Sequence, residues 1–319
     1  MNGRDAMARF LMEQHHLLLA CHVSPDGDTL GSALALAEGL RGMGKEAVVM
    51  STDRIPEPYD FLPGQEKVTD TVPEGFERKA AVVLLDCNRP DRAGLTGRTF
   101  ARSAVIDHHE TGSDFGDVTW VESSYAATAL MVLELLKALG VALTPAMATN
   151  LYTGLAVDTG TFRYANTTPL ALRAAAALVE AGANAGSVAN NLYRNWTPNK
   201  FDLLCLNLST MEVADGVGVS AISQEMFEKT GTTALDTESF VNFPLLIKGI
   251  GVSILMREVQ KDTWKVSLRS KGRVNVARVA QEFGGGGHEN AAGCTLNGGR
   301  EEIRERLTEA VKARTAAKT

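Results

Sequence analysis

Eight side chains in the first half of the chain have types that could hold cations or move protons: His22, Asp26, Asp28, Asp86, Asp107, His108, His109 and Asp158. The first three stand within seven residues in "HVSPDGDTLGSALAL", with Pro25 and Gly27 between them. Only six histidines occur in the chain, and three belong to these clusters; His15 and His16 precede the first apolar run without companions and read as surface residues. A lone aspartate at the end of a strand is usually a turn former or a helix cap, and Asp28 could serve as the cap of a helix starting at Thr29–Leu30. What sets these residues apart is their conjunction. Five aspartates and three histidines brought to one crevice would repel one another or sit protonated unless cations joined them. Mixed imidazole and carboxylate ligation suits an ion such as Mn²⁺, whereas a purely carboxylate site would lean towards Mg²⁺.

The elements around them read as α/β. "LLLAC" (17–21), "AVVM" (47–50), "AAVVLLD" (80–86) and "SAVID" (103–107) are short apolar runs of the kind that form buried parallel strands. Apolar residues at helical spacing predict a helix after the first turn, stopping near Gly44. Further helices are predicted for "SSYAATALMVLELLKALG" (123–140), capped and amphipathic, "TPAMATNLYTGLAVD" (144–158) and "TTPLALRAAAALVEAG" (167–182). A mostly parallel sheet flanked by helices follows, and ligands of such sheets bind beyond the carboxyl ends of the strands. The clusters after "LLLAC", "AAVVLL" and "SAVI" should therefore converge, with Asp158 at a helix end beside them. From about 186 the pattern changes to linking helices and then to "VGVSAIS" (217–223), "GVSILMREV" (251–259) and "TWKVSLRS" (263–270), which read as strands of a smaller mixed α/β domain. The expected division is 1–185 for the first domain, 186–206 for a helical linker and 207–319 for the second domain.

Length, 319 residues, allows a sizeable core and two domains. A formal charge of −6 disfavours a protein that coats long nucleic acid, but not one that takes short phosphorylated ligands through cations. No apolar run approaches the roughly 20 residues of a membrane span, and the first residues lack the pattern of a signal peptide. Cys21, Cys87, Cys205 and Cys294 are scattered with no CxxC pair, which predicts a reducing, cytoplasmic setting and no thiolate zinc site. Cys21 and Cys87 read as buried fillers.

"HVSPDGDTLGSA", "LLDC", "VIDHH" and "GLAVDTGTF", in that order, resemble the motifs of the DHH phosphoesterase superfamily. "SLRSKGRVNVARVAQEFGGGGHENAAG" is similar to the DHH-associated C-terminal domain found in one branch of it. The resemblance covers nearly the whole chain and points to the bacterial type that degrades very short RNA and dephosphorylates pAp. Every metal-binding position of the family's pattern carries the expected residue type. It implies a two-metal site in which His22 and Asp26 hold one ion, Asp28, His108 and Asp158 the other, and Asp86 bridges both. Asp107 would orient the metal-bound histidine, and His109 would face the substrate phosphate, so Asp86, His108 and His109 are the candidate catalytic residues. The implied cofactor is a pair of Mn²⁺ ions, with Mg²⁺ as a substitute, and the implied chemistry is metal-activated hydroxide attack on phosphorus without a covalent intermediate.

Between Lys261 and His288 the chain carries six basic residues and two acidic ones, then four consecutive glycines. A basic helix face is usually solvated surface and a Gly run often a plain loop, yet such a run also lets a backbone approach phosphate oxygens. With the resemblance, Arg269, Ser270, Gly286, Gly287 and His288 are expected to bind substrate, in a cleft between the domains. The expected partners are short RNA or nucleotide substrates and no membrane. The apolar 123–140 helix or the linker could serve a homodimer interface. Rival readings are hydrolysis of cyclic dinucleotides or their linear products, a pyrophosphatase, and a non-catalytic nucleotide-binding module.

Overall fold

The computed structural model describes residues 3–109, 115–194, 196–237, 239–272 and 274–316. The chain forms two compact units, Met1–Asn195 and Trp196–Thr319. In the first, the elements run α1 (Gly3–Glu13), β1 (His16–Ala20), α2 (Gly27–Gly42), β2 (Glu46–Met50), α3 (Phe76–Lys79), β3 (Ala81–Leu85), β4 (Arg102–Asp107), β5 (Val118–Val121), α4 (Thr128–Ala138), α5 (Pro145–Asp158), α6 (Pro169–Glu180) and α7 (Ala185–Tyr193). The strands form one five-stranded sheet, ordered β2-β1-β3-β4-β5, parallel throughout. Because β2 and β3 lie on opposite sides of β1, the strand order reverses at the β1–β3 boundary. That is the switch point where the loops leaving the carboxyl ends splay apart and open a crevice.

The buried strands are continuous Val, Leu and Ala runs because both sheet faces are covered: one by α2, α4 and α5, the other by residues such as Phe76, Leu95 and Cys87. Thr144 and Thr168 cap α5 and α6, each followed by Pro at the first turn. Helix α4 departs from expectation. It begins at Thr128 rather than near 123, and only Glu134, Lys137 and Ala138 escape burial along it, so it is a core helix and not an amphipathic one. Ala127 supplies no cap. Strand β5 lies outside the expected elements, since a four-residue edge strand that buries only Trp120 leaves no periodic signal. His16 is not a lone surface residue either; its Nδ1 lies 2.6 Å from Glu46 Oε2 across the β1–β2 pair.

The second unit contains α8 (Pro198–Ser209), β6 (Glu212–Ala214), β7 (Val217–Ile222), α9 (Gln224–Thr230), β8 (Val252–Gln260), β9 (Thr263–Ser270), α10 (Val276–Glu282), β10 (Gly286–His288), β11 (Ala291–Asn297) and α11 (Arg300–Ala316). Its sheet is ordered β10-β11-β9-β8-β7-β6 and is mixed, antiparallel except for the β7–β8 pair. Even-numbered residues of β9 and β11 pack with α10 and α11 into a separate core. The segment expected to link the domains is two helices, α7 and α8, one in each unit. Among the described residues, no helix is long and apolar enough to cross a membrane.

Candidate metal centre

Each of the eight residues owes its place to the end of an element. His22 follows β1, and its Nδ1 is 2.9 Å from the Val23 carbonyl, which fixes the ring. Asp26 is the N-cap of α2: its Oδ1 accepts from the amides of Asp28 and Thr29 at 2.9 and 3.1 Å. The capping residue is therefore Asp26, not Asp28. Asp28, in the first turn and fully buried, reaches across to α4, where its carboxylate accepts from the amides of Thr128 (2.7 Å) and Ala129 (2.8 Å). Helix α4 thus takes its cap from a side chain a hundred residues away. Asp86 stands just beyond β3 with φ of 59°, in the left-handed region that L-residues avoid at a cost of about 1–2 kcal/mol. His108 and His109 follow β4, and Asp158 closes α5.

Asp86 is the hub of the cluster. Its Oδ2 lies 3.4 Å from His22 Nε2, and its Oδ1 lies 3.4 Å from His108 Nε2. On one side, His22 Nε2 is 3.7 Å from Asp26 Oδ1; on the other, His108 Nε2 is 3.0 Å from Asp158 Oδ2 and 4.0 Å from Asp28 Oδ2. Two sets of donor atoms result, His22–Asp26–Asp86 and Asp28–Asp86–His108–Asp158, each lying within 4.8 Å of one another and sharing Asp86. A third grouping, Asp86–His108–His109, is compromised by hydrogen bonding, since the His109 Nδ1 that approaches Asp86 at 3.8 Å is bonded to Asp107 at 2.7 Å.

The electrostatics are those of acids crowded beyond what water or helix ends can neutralise. Burial, then the neighbouring Asp86 and Asp158 carboxylates, push Asp28 well above the ordinary carboxylate range. Burial likewise lifts Asp158 to about 6. Burial also opposes the charge of Asp86, but His108 and His22 beside it outweigh burial and hold it below the ordinary range. The imidazoles answer in kind: burial would lower them, yet the adjacent carboxylates raise His22 to about 10 and His108 to about 11. Protons on the imidazoles here do the work a divalent cation would do.

The donor chemistry fits such cations. Nδ1 of His22 and Nδ1 of His108 (3.3 Å from the Tyr125 carbonyl) are both engaged by backbone carbonyls, the partner a metal-ligating imidazole needs on its far nitrogen. Nε2 of His108 is buried among three carboxylates without a well-formed hydrogen bond. Burial raises the Cys21 thiol to about 12 and pushes Cys87 up as well, so neither neighbouring thiol is a nucleophile at neutral pH.

Asp107 departs from its expected role. It does not touch the His108 ring; its Oδ1 accepts from the amide and Nδ1 of His109 (3.1 and 2.7 Å), and its Oδ2 accepts from Asn88 Nδ2 at 2.7 Å. The residue it orients is the half-exposed His109, and the raised pKa of His109 has that bond as its first cause. Sequence reasoning missed Asn88 and two others. Thr128 Oγ1 donates to Asp86 Oδ1 at 2.9 Å, and Asn166 Nδ2 donates to the carbonyls of Asp158 and Ala126 (3.0 and 3.1 Å), tying the end of α5 to the approach to α4. Nothing in a Thr or Asn far from any motif marks it for such a bond.

In the second unit, Arg269, Ala291 and His288 occupy one row across β9, β11 and β10. The side chain of His288 and all of Arg273 lie outside the described residues. Ser270 Oγ accepts from the amides of Gly272 (3.1 Å) and Val274 (3.4 Å), so it shapes the turn after β9. The glycine run is not a plain loop. A Cβ at Gly285 would sit 2.2 Å from the Gly293 carbonyl and one at Gly287 (φ of 142°) 2.5 Å from that of Ala291, whereas one at Gly286 would meet nothing within 4 Å. Two glycines serve strand packing, and Gly286 faces open space.

Comparison with known proteins adds the following. The DHH family N-terminal domain matches residues 16–155, and the DHHA1 domain matches residues 216–317. The bifunctional oligoribonuclease and PAP phosphatase NrnA of Thermus thermophilus is 39% identical over 93% of this chain and 89% of that protein. The protein of the same name in Bacillus subtilis is 30% identical over 88% of this chain and 89% of its own length. An exopolyphosphatase-related protein from Bacteroides fragilis superposes with a TM-score of 0.91 at 26% identity, covering 99% of this chain and 97% of that one.

Proposed function

The chain belongs to the DHH family and is a metal-dependent hydrolase of phosphoester bonds, and from that premise we propose that it shortens very small RNAs to nucleoside monophosphates and removes the 3′-phosphate of pAp. The observation that carries this reading beyond the homologues is the sharing of Asp86 by two donor sets, one on each side of it. On this reading His22, Asp26 and Asp86 hold one divalent cation, and Asp28, Asp86, His108 and Asp158 hold a second, with Mn²⁺ preferred for the imidazole in each set and Mg²⁺ as a substitute. When bound, such a pair supplies Lewis-acid polarisation of a phosphoryl oxygen and acidifies water towards neutral pKa.

The chain's own residues do the rest. Asp86 keeps both donor sets in register, its carboxylate accepting a hydrogen bond from Thr128 Oγ1 and its amide donating one to the Ile106 carbonyl at 3.0 Å. His109, held by Asp107, whose carboxylate raises its pKa, presents its ring to the phosphate, where a protonated imidazole would favour the negative charge of the transition state. Arg269 and the backbone around Gly286 take the distal phosphate or base. An assay with added Mn²⁺ comparing pAp, di- to pentaribonucleotides, a cyclic dinucleotide and pyrophosphate tests the proposal. Turnover of pAp and the short RNAs above the others is expected; preference for the cyclic dinucleotide or pyrophosphate would overturn it.

A further inference from the structure

His22 and Asp26 belong to one donor set, yet both stand outside regular elements: β1 ends at Ala20, and α2 begins at Gly27 with Asp26 as its cap. The bridge between the two is Val23–Ser24–Pro25, three residues without helix or strand. Pro25 has no amide to donate, so the bridge has two backbone donors, and loops leaving the neighbouring strands take both. The Val23 amide donates at 2.6 Å to the carbonyl of Arg92, in the 3₁₀ turn Pro90–Ala93 beyond β3. The Ser24 amide donates, also at 2.6 Å, to Oδ2 of Asp53 in the loop beyond β2.

The peptide unit joining Val23 to Ser24 is therefore held at both of its polar atoms. Its carbonyl lies 2.9 Å from His22 Nδ1 and fixes that ring, while its N–H is bonded to Asp53. Because the unit is planar, whatever holds the N–H also aims the carbonyl. Ser24 has φ of 54°, in the left-handed region that L-residues avoid, so a flip of this peptide would relieve strain and turn the carbonyl away from His22. The bond to Asp53 opposes the flip. Asp53 is itself held, its carbonyl accepting from Oγ of the buried Ser51 at 2.8 Å. Beside it, Thr52 packs on the other loop, where a Cβ at Gly94 would fall 2.5 Å from Thr52 Cγ2. The two loops that grip the bridge thus brace each other. Asp53 lies outside the donor sets found among the described residues, so its part is orientation and not ligation.

We propose that Asp53 is a positioning residue for the cation on the His22 side: through the Val23–Ser24 peptide it sets the aim of the His22 ring and the separation of His22 from Asp26. The inference rests on the two-cation reading above. The other donor set has separate supports, since Asp28 and Asp158 occupy the end turns of α2 and α5 and Asp28 is bonded to the amides of α4. Loss of the Asp53 carboxylate should therefore be felt by one ion and not by its neighbour.

Calorimetric titration of metal-stripped, full-length protein with Mn²⁺ tests this. Asp53 is exposed, so its substitutions are surface changes that should spare the fold. Asp53→Ala should weaken one of two bound ions about tenfold, the low end of the range for a lost partner of a ligand. Asp53→Asn, which keeps an acceptor oxygen but not the charge, should retain most of the affinity. In a His22→Ala background, where the ion on that side has already lost its imidazole, adding Asp53→Ala should cost nothing further. Unchanged affinity in Asp53→Ala would overturn the inference. So would an equal loss in Asp53→Asn, which would make the effect one of charge, or a loss that persists in the His22→Ala background, which would place it on the other ion. Wild-type protein that binds a single Mn²⁺ would instead overturn the two-cation reading, and the inference with it.

Discussion

Thr128 offers a sharp test of the site because a single atom of it acts on Asp86. Its Oγ1 donates at 2.9 Å to the carboxylate oxygen that faces His108, in a fully buried setting, while its amide separately holds Asp28. Thr128→Val keeps the β-branched shape, the helix start and the hydrogen bond from its amide to the Asp28 carboxylate, and removes only the hydroxyl. A buried hydrogen bond to a charged group contributes about 1.5–3 kcal/mol, and 1.4 kcal/mol is tenfold in an equilibrium constant. If Asp86 is the shared ligand, freeing it from that bond should weaken Mn²⁺ binding by about ten- to a hundredfold, the range found when partners of ligands are lost. Thr128→Ser, which restores the hydroxyl, should recover most of the affinity. Calorimetric titration of metal-stripped protein measures this, with urea unfolding run in parallel to separate loss of the site from loss of the fold. Wild-type Mn²⁺ affinity in the valine variant would refute the claim that Thr128 positions a shared metal ligand.

Replacing Asp86 with Ala should lower turnover of every substrate by at least about 10²–10³-fold, as removal of a central electrostatic group does; retained activity in a phosphatase assay would sink the shared-ligand reading. Asn88→Ala releases the far oxygen of Asp107, so His109 loses its fixed orientation: kcat should fall about tenfold with Mn²⁺ affinity unchanged, and an equal loss of metal binding would show that Asn88 supports the ligands instead. For pH, the sign follows from the raised imidazoles. In chelated protein the stabilisation from His22 and His108 is complete below their ordinary pKa of 6.5 and is lost as pH rises through about 10 and about 11, so the melting temperature should decline from pH 6.5 upwards. Mn²⁺ requires neutral imidazoles, so its binding at pH 8 should release roughly two protons, measured from calorimetric heats in buffers of different ionisation enthalpy; no proton release would refute the imidazole ligation.

Much of this was legible in the sequence, for identifiable reasons. Parallel strands buried on both faces must be apolar runs, so β1 to β4 stood out, and a ligand crevice at their carboxyl ends follows from the architecture rather than from any motif. Threonine caps followed by proline marked α5 and α6. What could not be read were bonds made across the fold. The cap of α4 is Asp28, and no local signal reports a cap that comes from another helix. Asp107 sits next to His108 in the chain, yet the chain turns so that its carboxylate meets His109. The glycine run hid β10 because the feature that makes 285 and 287 glycine, contact with the backbone of β11, is itself a tertiary one.

Three helix ends explain why these acids can be gathered at all. The N-termini of α2 and α4 point at Asp26 and Asp28, and their free amides and partial positive charge favour ionised carboxylates there. Asp158 has the opposite placement, at the C-terminus of α5, where the partial charge is negative. What presses it against the others is the close crossing of α2 and α5: a Cβ at Gly31 would fall 2.2 Å from the Asn150 carbonyl, and one at Gly154 would fall 2.7 Å from Asp28 Oδ1. With no room for a side chain at either position, the crossing brings Asp28 against α5 itself. Two of the three carboxylates nearest α2 are thus neutralised in part by backbone, and for the third the neighbouring cation among the described residues is His108. Its pKa of about 6 reflects that burial and that company. A cation at the His108 side satisfies what no helix end supplies, so this half of the site should bind metal by necessity of charge, and variants that loosen the Gly31–Gly154 crossing should lose affinity there first.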